Sequence, residues 1–225
     1  MLIIFDLDDT LVDTFRCLTL PKLKESLIHM IQGGLKLDCS FERAWADLKR
    51  CNVEAKDSKE ALSSFLPDFK NGELFLEQSI AYVYESSDEG LNLKPVLGAI
   101  EGLKKLKKKH TLACVTKGFR GRQLRKLEKA GIDWALFSKI VVTQSSSKKV
   151  SYQKVLRECG FSPEETLVCG DKFDVDLEPA KRMGCLVAHA QWGHRKSAPR
   201  SGFKSDICAK NFEEILTFIE QLHGR

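Results

Sequence analysis

From Lys94 onward the chain alternates short apolar runs with amphipathic helical stretches, and that alternation admits few folds. Runs at Thr111–Thr116, Ile140–Thr143, Thr166–Cys169 and Leu186–Ala188 read as strands. Between and before them the spacing predicts helices over about 96–109, 120–130, 152–159 and 177–183. Gly131, Gly160 and Gly184 each close one of these helices. A last helix opens on Asn211-Phe212-Glu213-Glu214, a capping-box-like start, and keeps Phe212, Ile215, Leu216, Ile219 and Leu222 on one face. Strands that alternate with helices build a parallel sheet covered on both faces. The predicted fold class is therefore α/β.

The first strand lies at the N-terminus. Met1–Phe5 is apolar and runs directly into Asp6-Leu7-Asp8-Asp9-Thr10. In an extended segment side chains two apart share a side, so Asp6 and Asp8 point together while Leu7 points away. Two carboxylates that close repel each other unless a cation sits between them. Mg²⁺ suits such a pair, because it prefers oxygen ligands and keeps part of its water shell. One carboxylate is then free to attack phosphorus and the other to move a proton.

Residues 14–92 interrupt this pattern and contain no strand-like run. Leu23, Leu27, Met30 and Ile31 keep helical spacing up to Gly33-Gly34. Ser40 is placed to cap a helix carrying Phe41, Ala44, Trp45 and Leu48, and Ser58 to cap another ending near Pro67. Glu73–Glu85 reads as a fourth helix. The expected organisation is a core formed by residues 1–13 and 93–225, with a helical module at 14–92 inserted after the acids.

The formal charge of +5 is uneven. Residues 14–92 carry 10 Lys and Arg against 13 Asp and Glu, and the remainder 26 against 18. The densest basic run, Lys104-Lys105-Leu106-Lys107-Lys108-Lys109, falls on a predicted helix near its C-terminal end, where cations are favoured. With no nucleic-acid motif beside it, a solvated helix face is expected and no nucleic-acid partner. No apolar run reaches the ~20 residues of a membrane span, and none reads as a signal peptide. The eight cysteines form no C-x-x-C pair, which points to reduced thiols, a cytoplasmic setting and no zinc site.

In open α/β sheets ligands bind at the carboxyl ends of the strands. The first strand ends in Asp6 and the second in Thr116-Lys117-Gly118. Ser145-Ser146-Ser147-Lys148-Lys149 follows the third, and Gly170-Asp171-Lys172-Phe173-Asp174-Val175-Asp176 the fourth. A hydroxyl, lysines and carboxylates thus converge on one rim. The five histidines, His29, His110, His189, His194 and His223, show no metal-ligand spacing; His189 and His194 are the two that could approach the rim.

These stretches resemble the haloacid dehalogenase (HAD) superfamily. Asp6-Leu7-Asp8-Asp9-Thr10 is similar to its DxDx[TV] nucleophile motif, with Asp9 where many relatives have Gly. Thr116 matches the second motif, with Lys117 where Asn is frequent. Lys148 fits the third, with Lys149 as the alternative, and Gly170, Asp171 and Asp176 match the fourth, GDxxxxD. The resemblance implies a Rossmann-like core and, from the insertion at 14–92, a helical cap of the C1 type acting as a lid. It implies that Asp6 is the nucleophile and forms an aspartyl-phosphate, and that Asp8 is the acid and then the base. Thr116, Lys117 and Lys148 would contact the phosphoryl group. Mg²⁺ would be held by Asp6, the Asp8 carbonyl and Asp171, with Asp176 and Thr10 behind them.

What the resemblance implies is thus a Mg²⁺-dependent phosphatase acting on a small phosphorylated metabolite, as a monomer or homodimer. Dehalogenases lack an acid two residues after the nucleophile, so Asp8 favours phosphate chemistry. A sugar-phosphate mutase shares both acids and is the enzymatic alternative. A catalytically weak binding or regulatory protein on the same fold is the other.

Overall fold

The computed structural model describes residues 1–88, 90–145, 147–193 and 202–223. Contacts divide the chain into two compact units, one formed by Met1–Asp13 with Asn92–Arg225 and the other by Thr14–Leu91.

The first unit is built on a six-stranded parallel sheet. Its strands are β1 (Leu2–Phe5), β2 (Thr111–Lys117), β3 (Lys139–Thr143), β4 (Thr166–Gly170), β5 (Leu186–Ala190) and β6 (Ile207–Ala209), in the order β3-β2-β1-β4-β5-β6. Leu2–Phe5 pairs in register with Thr111–Cys114 on one side and with β4 on the other, Leu2 facing Thr166 and Phe5 facing Cys169. All four β1 residues are fully buried, each contributing roughly 1.5–3 kcal/mol of apolar burial. Leu2 and Ile4 pack with Tyr152 and Val155, while Phe5 stacks on Phe212 with ring centroids 5.8 Å apart. The chain builds outward from β1 to β3 and then restarts at β4 on the other side. That reversal puts the topological switch point between β1 and β4, where this class of sheet opens a crevice.

Helices α5 (Ala99–Lys107), α6 (Arg120–Lys129), α7 (Lys149–Cys159), α8 (Glu178–Lys181) and α9 (Phe212–His223) complete the unit, numbered after the four of the inserted module. Helix α5 starts three residues later than its spacing predicts, leaving Leu97 outside it and exposed. Helix α7 starts three residues earlier than predicted, so Lys148 becomes the residue before its first turn. The helix expected over 177–183 opens instead with a widened π-type turn at Phe173–Leu177, in which the Leu177 and Asp176 N–H groups both donate to the Lys172 carbonyl. Strand β6 is an addition to the strands expected from the sequence; it has three residues at the sheet edge, too few to show a period.

The second unit consists of α1 (Leu20–Gln32), α2 (Phe41–Glu54), α3 (Ser58–Phe65) and α4 (Leu76–Glu85). Leu23, Leu27 and Met30 of α1 meet Ala44 and Leu48 of α2, Leu62 and Phe65 of α3, and Val83 of α4 in one apolar core. Ser40 caps α2 by accepting from the Arg43 N–H. The cap of α3 is Asp57 rather than Ser58; its carboxylate accepts from the Glu60 N–H at 3.0 Å. Asp57 carries a charged acceptor, which suits the positive end of a helix better than a hydroxyl. The fourth helix starts at Leu76 behind a 3₁₀ turn at Gly72–Phe75, not at Glu73. Among the described residues no helix is long and apolar enough to cross a membrane, and all eight cysteines are free thiols.

Candidate active site

The carboxyl ends of β1, β2 and β4 bring together residues from four parts of the sequence. Asp6 leaves β1 with its N–H still donating to the Cys169 carbonyl, so it remains anchored to β4. The chain then winds tightly. The N–H groups of Thr10, Leu11 and Val12 all converge on the Leu7 carbonyl. This winding requires a left-handed residue, and Asp9 takes that conformation at φ 59°. Aspartate tolerates it better than most side chains. Thr10 is fully buried within the turn.

Lys148 reaches back from the start of α7 and is buried between two acids. Its ammonium lies 2.5 Å from Asp6 Oδ1 and 2.6 Å from Asp176 Oδ1. Burial alone would favour the neutral amine, but Asp176 and Asp6 outweigh it and hold the Lys148 pKa well above the usual lysine value. Lys149, the first residue of α7, is exposed. Lys117 is exposed at the end of β2. Successive strand residues take opposite faces, so it leaves the sheet on the side away from buried Thr116.

Asp6, Asp171 and Asp176 are all buried, and each offers a carboxylate oxygen within 4.8 Å of the others. Burial, helped by the Asp176 and Asp8 carboxylates, pushes Asp6 up to about 7 against the pull of Lys148. Asp171 is pushed well above the usual carboxylate range by burial, which Lys172 opposes and Asp176, Asp6 and Asp9 reinforce. Three carboxylates against one ammonium leave an excess of two negative charges, which one divalent cation would balance. The donors are all hard oxygens, so the set fits Mg²⁺. Asp176 is already committed on both oxygens, Oδ1 to Lys148 and Oδ2 to the Lys172 N–H at 3.1 Å. Asp176 thus serves Lys148 and the Lys172 N–H, and a cation would draw on Asp6 and Asp171. Asp174 is exposed.

Asp8 meets two residues of α6 that sequence reasoning missed. Lys126 Nζ lies 2.6 Å from Asp8 Oδ1, and Gln123 Nε2 donates to Asp8 Oδ2 at 2.8 Å. The same Gln123 nitrogen donates to Thr116 Oγ1 at 2.6 Å. A signal was available in the sequence, since Gln123, Lys126, Leu127 and Ala130 share the i, i+3, i+4, i+7 stripe of a buried helix face. Gly118, at φ 145°, turns the chain from β2 into α6 in a conformation that other residues rarely adopt.

His189, buried at the end of β5, stands 3.2 Å from the Asp171 carbonyl through Nε2 and packs on the Phe173 ring. Burial lowers its pKa, which favours the neutral ring. His194 and Ser146 lie outside the described residues, as does the side chain of His223.

A glyceraldehyde 3-phosphate phosphatase of Methanocaldococcus jannaschii is 26% identical over 231 residues, covering 98% of this chain and 97% of its own length. A protein of the same name from Pyrococcus furiosus is 27% identical over 203 residues, covering 85% and 80%. In fold, the chain resembles the crystal structure of a predicted phosphoglycolate phosphatase from Haemophilus somnus with a TM-score of 0.70, at 23% identity and 97% coverage of both chains. The model of the haloacid dehalogenase-like hydrolases matches residues 3–190, well over half of the sequence. With that match, and with a 3-2-1-4-5-6 parallel sheet whose strand ends gather the acids and the lysine, the chain belongs to the haloacid dehalogenase-like hydrolase family.

Proposed function

We propose that this protein is a Mg²⁺-dependent phosphatase that hydrolyses a small phosphorylated metabolite through an aspartyl-phosphate on Asp6. The observation that carries the reading is the buried Lys148 ammonium 2.5 Å from Asp6 Oδ1, with the Asp8 carboxyl two residues on. Lys148 occupies one Asp6 oxygen and leaves the other to attack phosphorus. As the bond to the leaving oxygen breaks, Asp8 gives that oxygen its proton and the alcohol departs. Asp8 then takes a proton from the water that attacks the aspartyl-phosphate, releasing inorganic phosphate and restoring Asp6. Thr116 donates a hydrogen bond to a phosphoryl oxygen, and Lys148 offsets the negative charge gathered at phosphorus. Asp6, Asp171 and the Asp8 carbonyl would hold Mg²⁺, which would supply charge neutralisation for the phosphoryl oxygens. Asp176 and Thr10 support these groups from behind.

The relatives' name supports glyceraldehyde 3-phosphate as the first substrate to test. The helical unit, Thr14–Leu91, is the part we assign to substrate selection. The test is phosphate release from a panel of phosphate monoesters with Mg²⁺ and with EDTA. We expect turnover of one or more small esters, loss with EDTA, and abolition by Asp6→Asn, which keeps the shape but not the nucleophile. Asp8→Asn should cost roughly 10²–10⁴-fold. Retention of normal turnover by Asp6→Asn would overturn the covalent route.

A further inference from the structure

We propose that Gln123 and Lys126 are positioning residues that hold Asp8 for its proton transfers and set the direction of the Thr116 hydroxyl. This rests on the phosphatase reading above. Gln123 Nε2 meets Asp8 Oδ2 at 2.8 Å and Thr116 Oγ1 at 2.6 Å. Between its two proton transfers Asp8 is ionised and has no hydrogen to give, so the amide must turn its nitrogen toward it. That nitrogen carries two hydrogens, one for each oxygen. Thr116 therefore accepts from Gln123, and its own single proton is left to donate elsewhere. The phosphoryl oxygen is the acceptor that the reaction brings to it.

Lys126 fixes the other Asp8 oxygen, Oδ1, at 2.6 Å. Gln123 and Lys126 stand three residues apart on one face of α6, so a single rigid element holds both oxygens of one carboxylate. Burial points the same way. Arg120, Arg125 and Lys129 on the same helix are exposed, as basic helix residues usually are. Lys126 and Gln123 are only 7% and 2% exposed. Burying such groups is unfavourable unless they are fully engaged, and what engages them here is Asp8 and Thr116.

A split between two esters tests the role. Nitrophenolate departs without a proton, whereas an alkoxide needs the one that Asp8 gives. Misplacing Asp8 therefore slows both half-reactions of an alkyl phosphate, but mainly the water-attack half of p-nitrophenyl phosphate. We expect Lys126→Met and Gln123→Leu to lower kcat on an alkyl phosphate about 10²-fold, with KM and the Mg²⁺ requirement nearly unchanged. With p-nitrophenyl phosphate the same variants should give a burst of nitrophenolate and an accumulating acyl-phosphate that hydroxylamine traps. Lys126→Arg should recover part of the loss. Gln123→Glu, similar in shape but placing a second carboxylate against Asp8, should lose at least as much as Gln123→Leu. Melting temperatures of Lys126→Arg and Gln123→Glu separate these effects from unfolding. Equal losses on both esters without a burst would overturn the positioning role, as would wild-type kinetics in the variants. A wild-type protein that turns over neither ester with Mg²⁺ would overturn the phosphatase reading itself, and the role of the pair with it.

Discussion

Gly170 and Asp176 are packed so closely that a Cβ added to Gly170 would lie 2.6 Å from the Asp176 Cβ and 2.8 Å from its Oδ2. The approach is possible because the widened turn at Phe173–Leu177 folds Asp176 back over the end of β4. It leaves Asp176 Oδ2 on the Lys172 N–H and Oδ1 on Lys148. The glycine and the last acid of the G-D-x-x-x-x-D stretch are thus one steric unit, which holds the cation that meets Asp6.

Gly170→Ala should force these groups apart. Overpacking of this kind costs about 1–3 kcal/mol, and the displaced Asp176 should loosen Lys148 from Asp6. We expect a lower midpoint in denaturant together with a fall in kcat. Wild-type stability and turnover in this variant would contradict the steric account.

Lys148→Ala should destabilise the protein by roughly 3–5 kcal/mol near neutral pH, because it strands buried carboxylates without their cation. The loss should shrink toward acid pH, where Asp6 can take up a proton. The wild-type lysine has a raised pKa, so its stabilising charge persists through the neutral range and fades only as pH rises beyond the usual lysine value of 10.5. Lys149→Ala, at an exposed position, should change stability by less than about 0.5 kcal/mol. Chemical denaturation of both variants across pH checks this ranking, and equal effects would count against it.

The residues that sequence reasoning could find share one property, which is that local pattern and tertiary position coincide. Asp6, Thr116 and Asp171 each end or directly follow an apolar run, so knowing the strand was enough to know the rim. Lys126 was hidden because α6 also carries Arg120, Arg122, Arg125 and Lys129, and one buried cation among five has no local mark beyond its helical phase. Lys148 and Lys149 are neighbours that composition cannot separate; the difference comes from where α7 begins. The π-type turn before α8 was equally invisible, since its i→i+5 closure depends on Asp176 being drawn toward Lys148 and the Lys172 N–H.

The last prediction concerns protons and the metal. In the folded, metal-free protein Asp6 titrates near 7, and Asp171 is also raised, whereas both would ionise near 3.8 in an unfolded chain. The folded state therefore holds protons that the unfolded state has already lost. Their contribution to stability is complete below the unfolded value and disappears as pH rises through the folded one. Metal-free protein should accordingly lose stability between about pH 4 and pH 7 from Asp6, with raised Asp171 adding to the fall, and Asp6→Asn should flatten part of that slope. A divalent cation needs the ionised carboxylates, so its binding should release protons and tighten as pH rises through the same window. Mg²⁺ should then raise the melting temperature more at about pH 7.5 than at about pH 5.5. Calorimetric titration in two buffers of different ionisation heat reads the proton release directly. A Mg²⁺ affinity that does not change with pH, with no protons released, would mean that Asp6 and Asp171 are not the ligands.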